Sequence, residues 1–202
     1  MPKRSSWAVT SLIALVACGS HGVTTTSVSP PTSSNAETIP PPGLPAEVLP
    51  GYVIRDSTVD AALLSADALD PGSLQALLTG AGFEVGSERR FTARGKRLTE
   101  VVARVLRFRS ARGATVYLTW LGAHGVDLLG SRTQPAEPPD LPGAVAFSHG
   151  VSGCCTKDTY QYFLAWTRGP YTATLLVGGP AAGPGSALPF ANDLDARIRK
   201  EA

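Results

Sequence analysis

The sequence predicts an α+β domain: an antiparallel sheet with helices packed on it, in the order ααββαβββα, preceded by a signal peptide and a disordered tether. Three observations carry this. Apolar residues recur at helical spacing in four segments, and β-branched and aromatic residues gather in the stretches between them. The two clearest strands flank Arg168-Gly169-Pro170, a tight turn that makes them antiparallel neighbours. A stretch rich in Ser, Thr and Pro separates this region from an apolar N-terminal run.

The elements follow in chain order. Val59, Ala62, Leu63 and Ala66 fall at i, i+3, i+4 and i+7, a helical stripe. Asp70-Pro71 reads as an N-cap followed by a first-turn proline, and Leu74, Leu77 and Leu78 continue a helix that Gly80 or Gly82 stops. Phe83 to Phe91 reads as a strand. Leu98 to Arg109 fits both templates, but its β-branched content favours a strand. Tyr117, Leu121, His124 and Leu128 share one helical face, with Trp120 beside them. Ser131 to Gly143 reads as a proline-rich loop, and Ala144 to Ser148 as a short strand. Thr159 to Thr167 and Tyr171 to Val177 form the hairpin, and Gly178 to Ala187 a loop. Ala187, Phe190, Ala191, Leu194 and Ile198 make a closing amphipathic helix, whose Arg197, Arg199 and Lys200 suit its C-terminal dipole end.

The N-terminus carries an address. Lys3-Arg4 precedes an apolar run, Trp7 to Ala17, that is too short to span a bilayer. It ends in Leu15-Val16-Ala17-Cys18-Gly19, which resembles the lipobox of bacterial lipoproteins. The resemblance implies removal of residues 1–17, diacylation of the Cys18 thiol and attachment to the outer face of the cell membrane through those chains. Losing Lys3 and Arg4 takes the formal charge from +2 to zero, which argues against a nucleic-acid partner. Residues 18–50 then form the tether. Residues 24–50 hold 16 Ser, Thr or Pro among 27, too little apolar surface to order themselves. The 32 residues from Gly19 to Pro50 reach roughly 30 Å as a coil and roughly 100 Å as polyproline. Residues 51–202 are one domain, long enough for a real core.

This domain resembles small, uncharacterised lipoproteins of actinobacterial type over most of residues 73–200. The carriers are Gly82-Phe83, Arg90-Phe91, the run Val101 to Phe108, Tyr117-Leu118-Thr119-Trp120-Leu121 and Gly153-Cys154-Cys155. Some exported α+β lipoproteins of this general shape, PsbP-like ones included, bind lipids or partner proteins, so the resemblance implies a binding role by fold-level analogy.

Candidate chemistry is sparse. The chain has no HExxH, no GxGxxG and no phosphate-binding Gly-Lys-Ser/Thr motif, and no cofactor is called for. The glycine-rich Gly178 to Gly185 is broken by prolines and lacks a lysine. Gly150-Val151-Ser152-Gly153-Cys154 falls one residue short of a nucleophile elbow. His124, on an apolar helical face, suits a hydrogen-bonded core histidine better than a base or ligand. Tyr160, Tyr162 and Trp166 share a strand face and read as core before they read as a sugar or lipid platform.

Charge segregation and cysteines give the remaining candidates. Residues 89–112 carry Arg89, Arg90, Arg94, Lys96, Arg97 and four further arginines against Glu100 alone, a net +8. They suit either a basic face on an anionic lipid or wall polymer, or two solvated strand faces whose arginines pair with acids from elsewhere. Cys154 and Cys155 are adjacent. Their α-carbons lie about 3.8 Å apart across a trans peptide, whereas disulfides favour roughly 4.4–6.8 Å. A strained vicinal disulfide acting as a turn, two free or separately oxidised thiols, and a soft-metal site with His149 all stay open, with the disulfide preferred. The leading expectation is therefore a non-enzymatic envelope module binding a lipid, an anionic polymer or a protein partner. A thiol redox or metal protein is the alternative, and a passive surface protein the third.

Overall fold

The Arg168-Gly169-Pro170 turn joins two long antiparallel strands. Gly169 takes φ +52°, a left-handed value that a side chain rarely adopts. These strands are β6 (Thr156–Arg168) and β7 (Tyr171–Gly179), and they lie in the interior of a seven-stranded sheet. The computed structural model describes residues 40–66, 68–153 and 156–202, apart from the side chains of residues 127 and 151–159. All of them belong to one unit, Glu37–Ala202. Cys18, the expected signal peptide, the first part of the expected tether and the Cys154-Cys155 pair lie outside the described residues.

The remaining strands are β1 (Val53–Val59), β2 (Phe83–Thr92), β3 (Glu100–Phe108), β4 (Thr133–Ala136) and β5 (Val145–Gly153). The sheet order is β1-β2-β3-β7-β6-β5-β4. Every neighbouring pair is antiparallel. The helices are α1 (Ala61–Ser65), α2 (Pro71–Gly80), α3 (Ala111–Leu129) and α4 (Pro184–Glu201). The expected α+β class is the observed one, and residues 98–109 resolve as the strand β3.

Strand alternation assigns the two faces. Val101, Ala103 and Val105 of β3 are buried in one apolar cluster with Phe190, Leu194 and Ile198 of α4. Leu106 and Phe108 point the other way, into a cluster with Leu74 and Leu78 of α2 and Tyr117, Leu118 and Leu121 of α3. A strand buried on both faces reads as a continuous apolar run, which is why its sequence also fits a helix. Each large α4 side chain contributes about 2 kcal/mol by leaving water. Polar contacts then fix the helix in register: buried Asp195 accepts from Trp166 Nε1 at 2.9 Å and pairs with Arg168 at 2.8 Å and Arg199 at 2.7 Å.

On the opposite face, Ser110 caps α3 by accepting from Gly113 N–H at 3.2 Å, and Thr172 Oγ1 donates to Ala114 O at 3.2 Å. Asp70 caps α2 as its sequence predicts, accepting from Ser73 N–H with Pro71 in the first turn.

Two strands were not foreseen. The stripe Val59, Ala62, Leu63, Ala66 is not one helix: Val59 ends β1, Asp60 caps the short α1, and Leu63 is exposed while Leu64 is buried. β1 is an edge strand, mostly exposed, so its residues carry little periodicity. β4 lies at the other edge and contains Pro135, a residue that an edge strand tolerates and a loop also favours. The packed part of the chain also begins before Gly51. Leu44 is fully buried against the α4-side cluster, and Ala46–Val48 forms a 3-10 turn.

Candidate functional site

α4 packs on β6 and β7 and leaves the same face of β4 and β5 uncovered near the start of β6. The register lays out what this exposes. Gln134, Ser148 and Tyr162 stand directly opposite one another on β4, β5 and β6, and Gly150, Tyr160 and Gly179 form the next row. The start of α4, Gly183-Pro184, walls one side, and Ser131 and Arg132 the other. The result is a groove of about 790 Å³, within the roughly 300–1,000 Å³ of small-molecule sites.

The groove is polar at its rim and aromatic on its floor. Tyr162 is buried and donates to Glu137 O at 2.8 Å. Burial, assisted by the nearby Glu137 charge, pushes its phenol up to about 12. Tyr160, two residues earlier on the same strand face, is 49% exposed. His149 lies beside Thr133, with Nδ1 and Oγ1 3.2 Å apart. The ionisable side chains lining the groove are Arg132, Glu137, His149 and the two tyrosines. Among the described residues they include no pair of carboxylates, and Thr133, whose hydroxyl meets His149, does not itself line the groove. Among the described residues no group of three or more His, Cys, Asp or Glu is placed to hold a metal ion.

A second, smaller cleft of about 210 Å³ runs between α3 and the sheet. Leu64, Leu121, Leu128 and Leu176 line it, with Arg90 and Arg104 at one end. Those arginines are engaged: Arg104 pairs with Glu88, and Arg90 reaches Glu88 at 3.4 Å and Glu100 at 3.3 Å. Burial raises the Tyr117 phenol well above its usual range, with Arg104 opposing the shift.

The basic segment is divided by the sheet. Arg89 and Arg90 point to opposite faces. Arg89 makes a bidentate bridge to Asp56, both contacts at 2.6 Å, and donates to Leu44 O. That hydrogen bond from Arg89 holds the Asp56 carboxyl below its ordinary range. Arg94, Lys96 and Arg97 instead occupy the exposed tip of the β2–β3 hairpin. This tip is pinned to the end of β7 by Thr99 N–H donating to Gly178 O and by Ala181 N–H donating to Arg97 O.

His124 sits where α3 leaves helical geometry, at φ −118° and ψ 20°. Its ring stacks on Trp120 at 4.7 Å, and Nδ1 lies 2.9 Å from Trp120 O. It serves the helix. The expected stripe on β6 splits: Tyr162 and Trp166 are core, while Tyr160 opens into the groove. Gln134 and Ser148 carried no signal in the sequence, because a lone amide or hydroxyl on a strand has none.

No family model matches the chain, and no curated protein matches it. Among solved structures it is similar to the extracellular domain of PknH from Mycobacterium tuberculosis, with a TM-score of 0.51 and 11% identity. The similarity covers 74% of this chain and 82% of that one. At this identity the likeness is one of fold. No helix of the described residues is long and apolar enough to cross a membrane.

Proposed function

We propose that this chain is a lipid-anchored, extracytoplasmic binding module without catalytic activity, and that its ligand sits in the groove over β4, β5 and β6. The groove carries the proposal. It is a concave site of ligand size built on the sheet, with polar groups from three strands converging on it and no pair of carboxylates among its described lining residues. The address rests on the lipobox-like Leu15-Val16-Ala17-Cys18-Gly19, and the fold likeness to an extracellular domain supports it.

Amide NMR mapping tests the seat of binding. Soluble envelope fragments from the native host, added to the labelled chain, should shift resonances of Gln134, Ser148 and Tyr160 first. Gln134→Ala with Ser148→Val should abolish those shifts while leaving the spectrum folded. Shifts confined to the hairpin tip or to the α3 cleft would move the site elsewhere.

A further inference from the structure

We propose that the groove takes a neutral carbohydrate and that one sugar ring stacks on Tyr160. This rests on the groove being the ligand seat, and it names the ligand's class. The stacking surface is a single exposed ring. Among the described aromatic and apolar side chains on one face of β6, Tyr162, Leu164 and Trp166 are buried and Tyr160 stands open, at 49%. Its neighbours across both adjacent strands are glycines, Gly150 on β5 and Gly179 on β7. Neither directly opposite residue has a side chain to lay over the ring.

The two glycines have different causes. Gly179 has φ +129°, and a Cβ there would meet Arg97 O at 2.7 Å, so the backbone dictates it. Gly150 has no such constraint. Its φ is not left-handed, and among the described residues a Cβ would meet nothing nearer than the Tyr160 ring, at 3.9 Å. A glycine inside a strand weakens it and marks a bulge, a bend or close approach by another group; the register shift of β5 falls beyond Gly150, between Val151 and Gly153, which leaves close approach for Gly150. Here a side chain at position 150 would lie against the ring and occupy the stacking space.

Chemistry selects the partner. A tyrosine face is electron-rich and apolar, which suits the C–H face of a pyranose. The hydroxyls at the sugar's edge both donate and accept. So do the amide of Gln134 and the hydroxyl of Ser148, which stand on the neighbouring row. Glu137 and Arg132 bring one charge of each sign to the rim, so the groove has no bias toward an anion. The clustered cations, Arg94, Lys96 and Arg97, lie on the hairpin tip instead.

The test uses the full chain in a non-glycosidic detergent with neutral hexasaccharides of β-1,4-glucose, β-1,4-N-acetylglucosamine and α-1,4-glucose. At least one should bind saturably and shift the amides of residues 134, 148 and 160. Tyr160→Ala should weaken it by about tenfold or more, and Tyr160→Trp should restore it. Gly150→Val should also block binding, although Tyr160 is intact and a β-branched residue suits a strand. If no hexasaccharide binds, or if Tyr160→Ala binds as the native chain does, the carbohydrate assignment falls. A proline-rich peptide that shifts the same amides when the sugars do not would keep the groove as the seat and replace the ligand class. Envelope fragments and all probes leaving those amides unmoved would remove both proposals.

Discussion

Tyr162 links a single phenol to the stability of the whole sheet. Its hydroxyl donates to Glu137 O, and burial raises its pKa from 10.0 to about 12. Folding therefore favours the protonated phenol. That contribution is complete below pH 10, where the unfolded chain is also protonated, and is lost as pH rises from 10 through about 12. Tyr162→Phe should cost about 1 kcal/mol at neutral pH through the lost hydrogen bond. Its alkaline decline, followed by urea denaturation from pH 8 to 12, should be shallower than that of the native chain. Parallel profiles would show that Tyr162 is not the group responsible. At this scale the sequence is readable where a residue acts locally. Asp70-Pro71 announces its cap because the partner is three residues away. The arginines do not announce theirs. Asp56 lies on another strand, and alternation sends Arg89 and Arg90 to opposite faces, so a net +8 along the chain does not become one basic face. Tyr160 and Tyr162 have the same parity on β6, yet Tyr162 is buried and donates to Glu137 O while Tyr160 is left open.

Among the elements, α3 depends on a close approach that no side chain can enter. A Cβ on Gly113 would meet Ala81 O at 2.0 Å, and that carbonyl belongs to the turn between α2 and β2. The turn is itself fixed, since Arg109 N–H donates to Gly82 O at 2.9 Å. Gly113→Ala must move backbone against backbone and should destabilise the domain by about 2–3 kcal/mol. Gly122→Ala is the control: its nearest neighbour would be Val145 Cγ1 at 3.4 Å, so the gain in helix propensity should leave it neutral or stabilised by about 0.5 kcal/mol. Equal melting temperatures for the two variants would refute the close approach. The elements legible in the sequence were those with a buried face, because burial imposes a period. β1 and β4 were illegible for the converse reason. Each is an edge strand whose register comes from a neighbour, and exposed charge on one and Pro135 on the other protect the edges from pairing with another chain.

At the scale of the whole molecule, the proposed Cys18 anchor and the exposed cations of the hairpin tip each carry a prediction. Intact-mass analysis should find acyl chains on Cys18, and Cys18→Ala should lack them and leave the membrane fraction. If Arg94, Lys96 and Arg97 then rest on anionic headgroups, the soluble variant should bind anionic vesicles and not neutral ones, and the binding should fade as salt shortens the Debye length from about 10 Å at 0.1 M. Binding indifferent to lipid charge and to salt would exclude that contact. The strand order has a different consequence, one in time. β1-β2-β3 and β4-β5-β6-β7 are two meanders, each paired between chain neighbours, and β3 with β7 is the seam that joins them. β7 is the last strand to be synthesised. A chain delivered N-terminus first would hold the β3 edge unpaired, with apolar side chains on both faces, while α3 and three more strands emerge. Closing that seam is the step of highest contact order and the natural rate-limiting event. Until then the β3 edge is the place where a second chain would add, so a truncation that removes β7 would leave two separate meanders and an aggregation-prone edge, not a smaller domain.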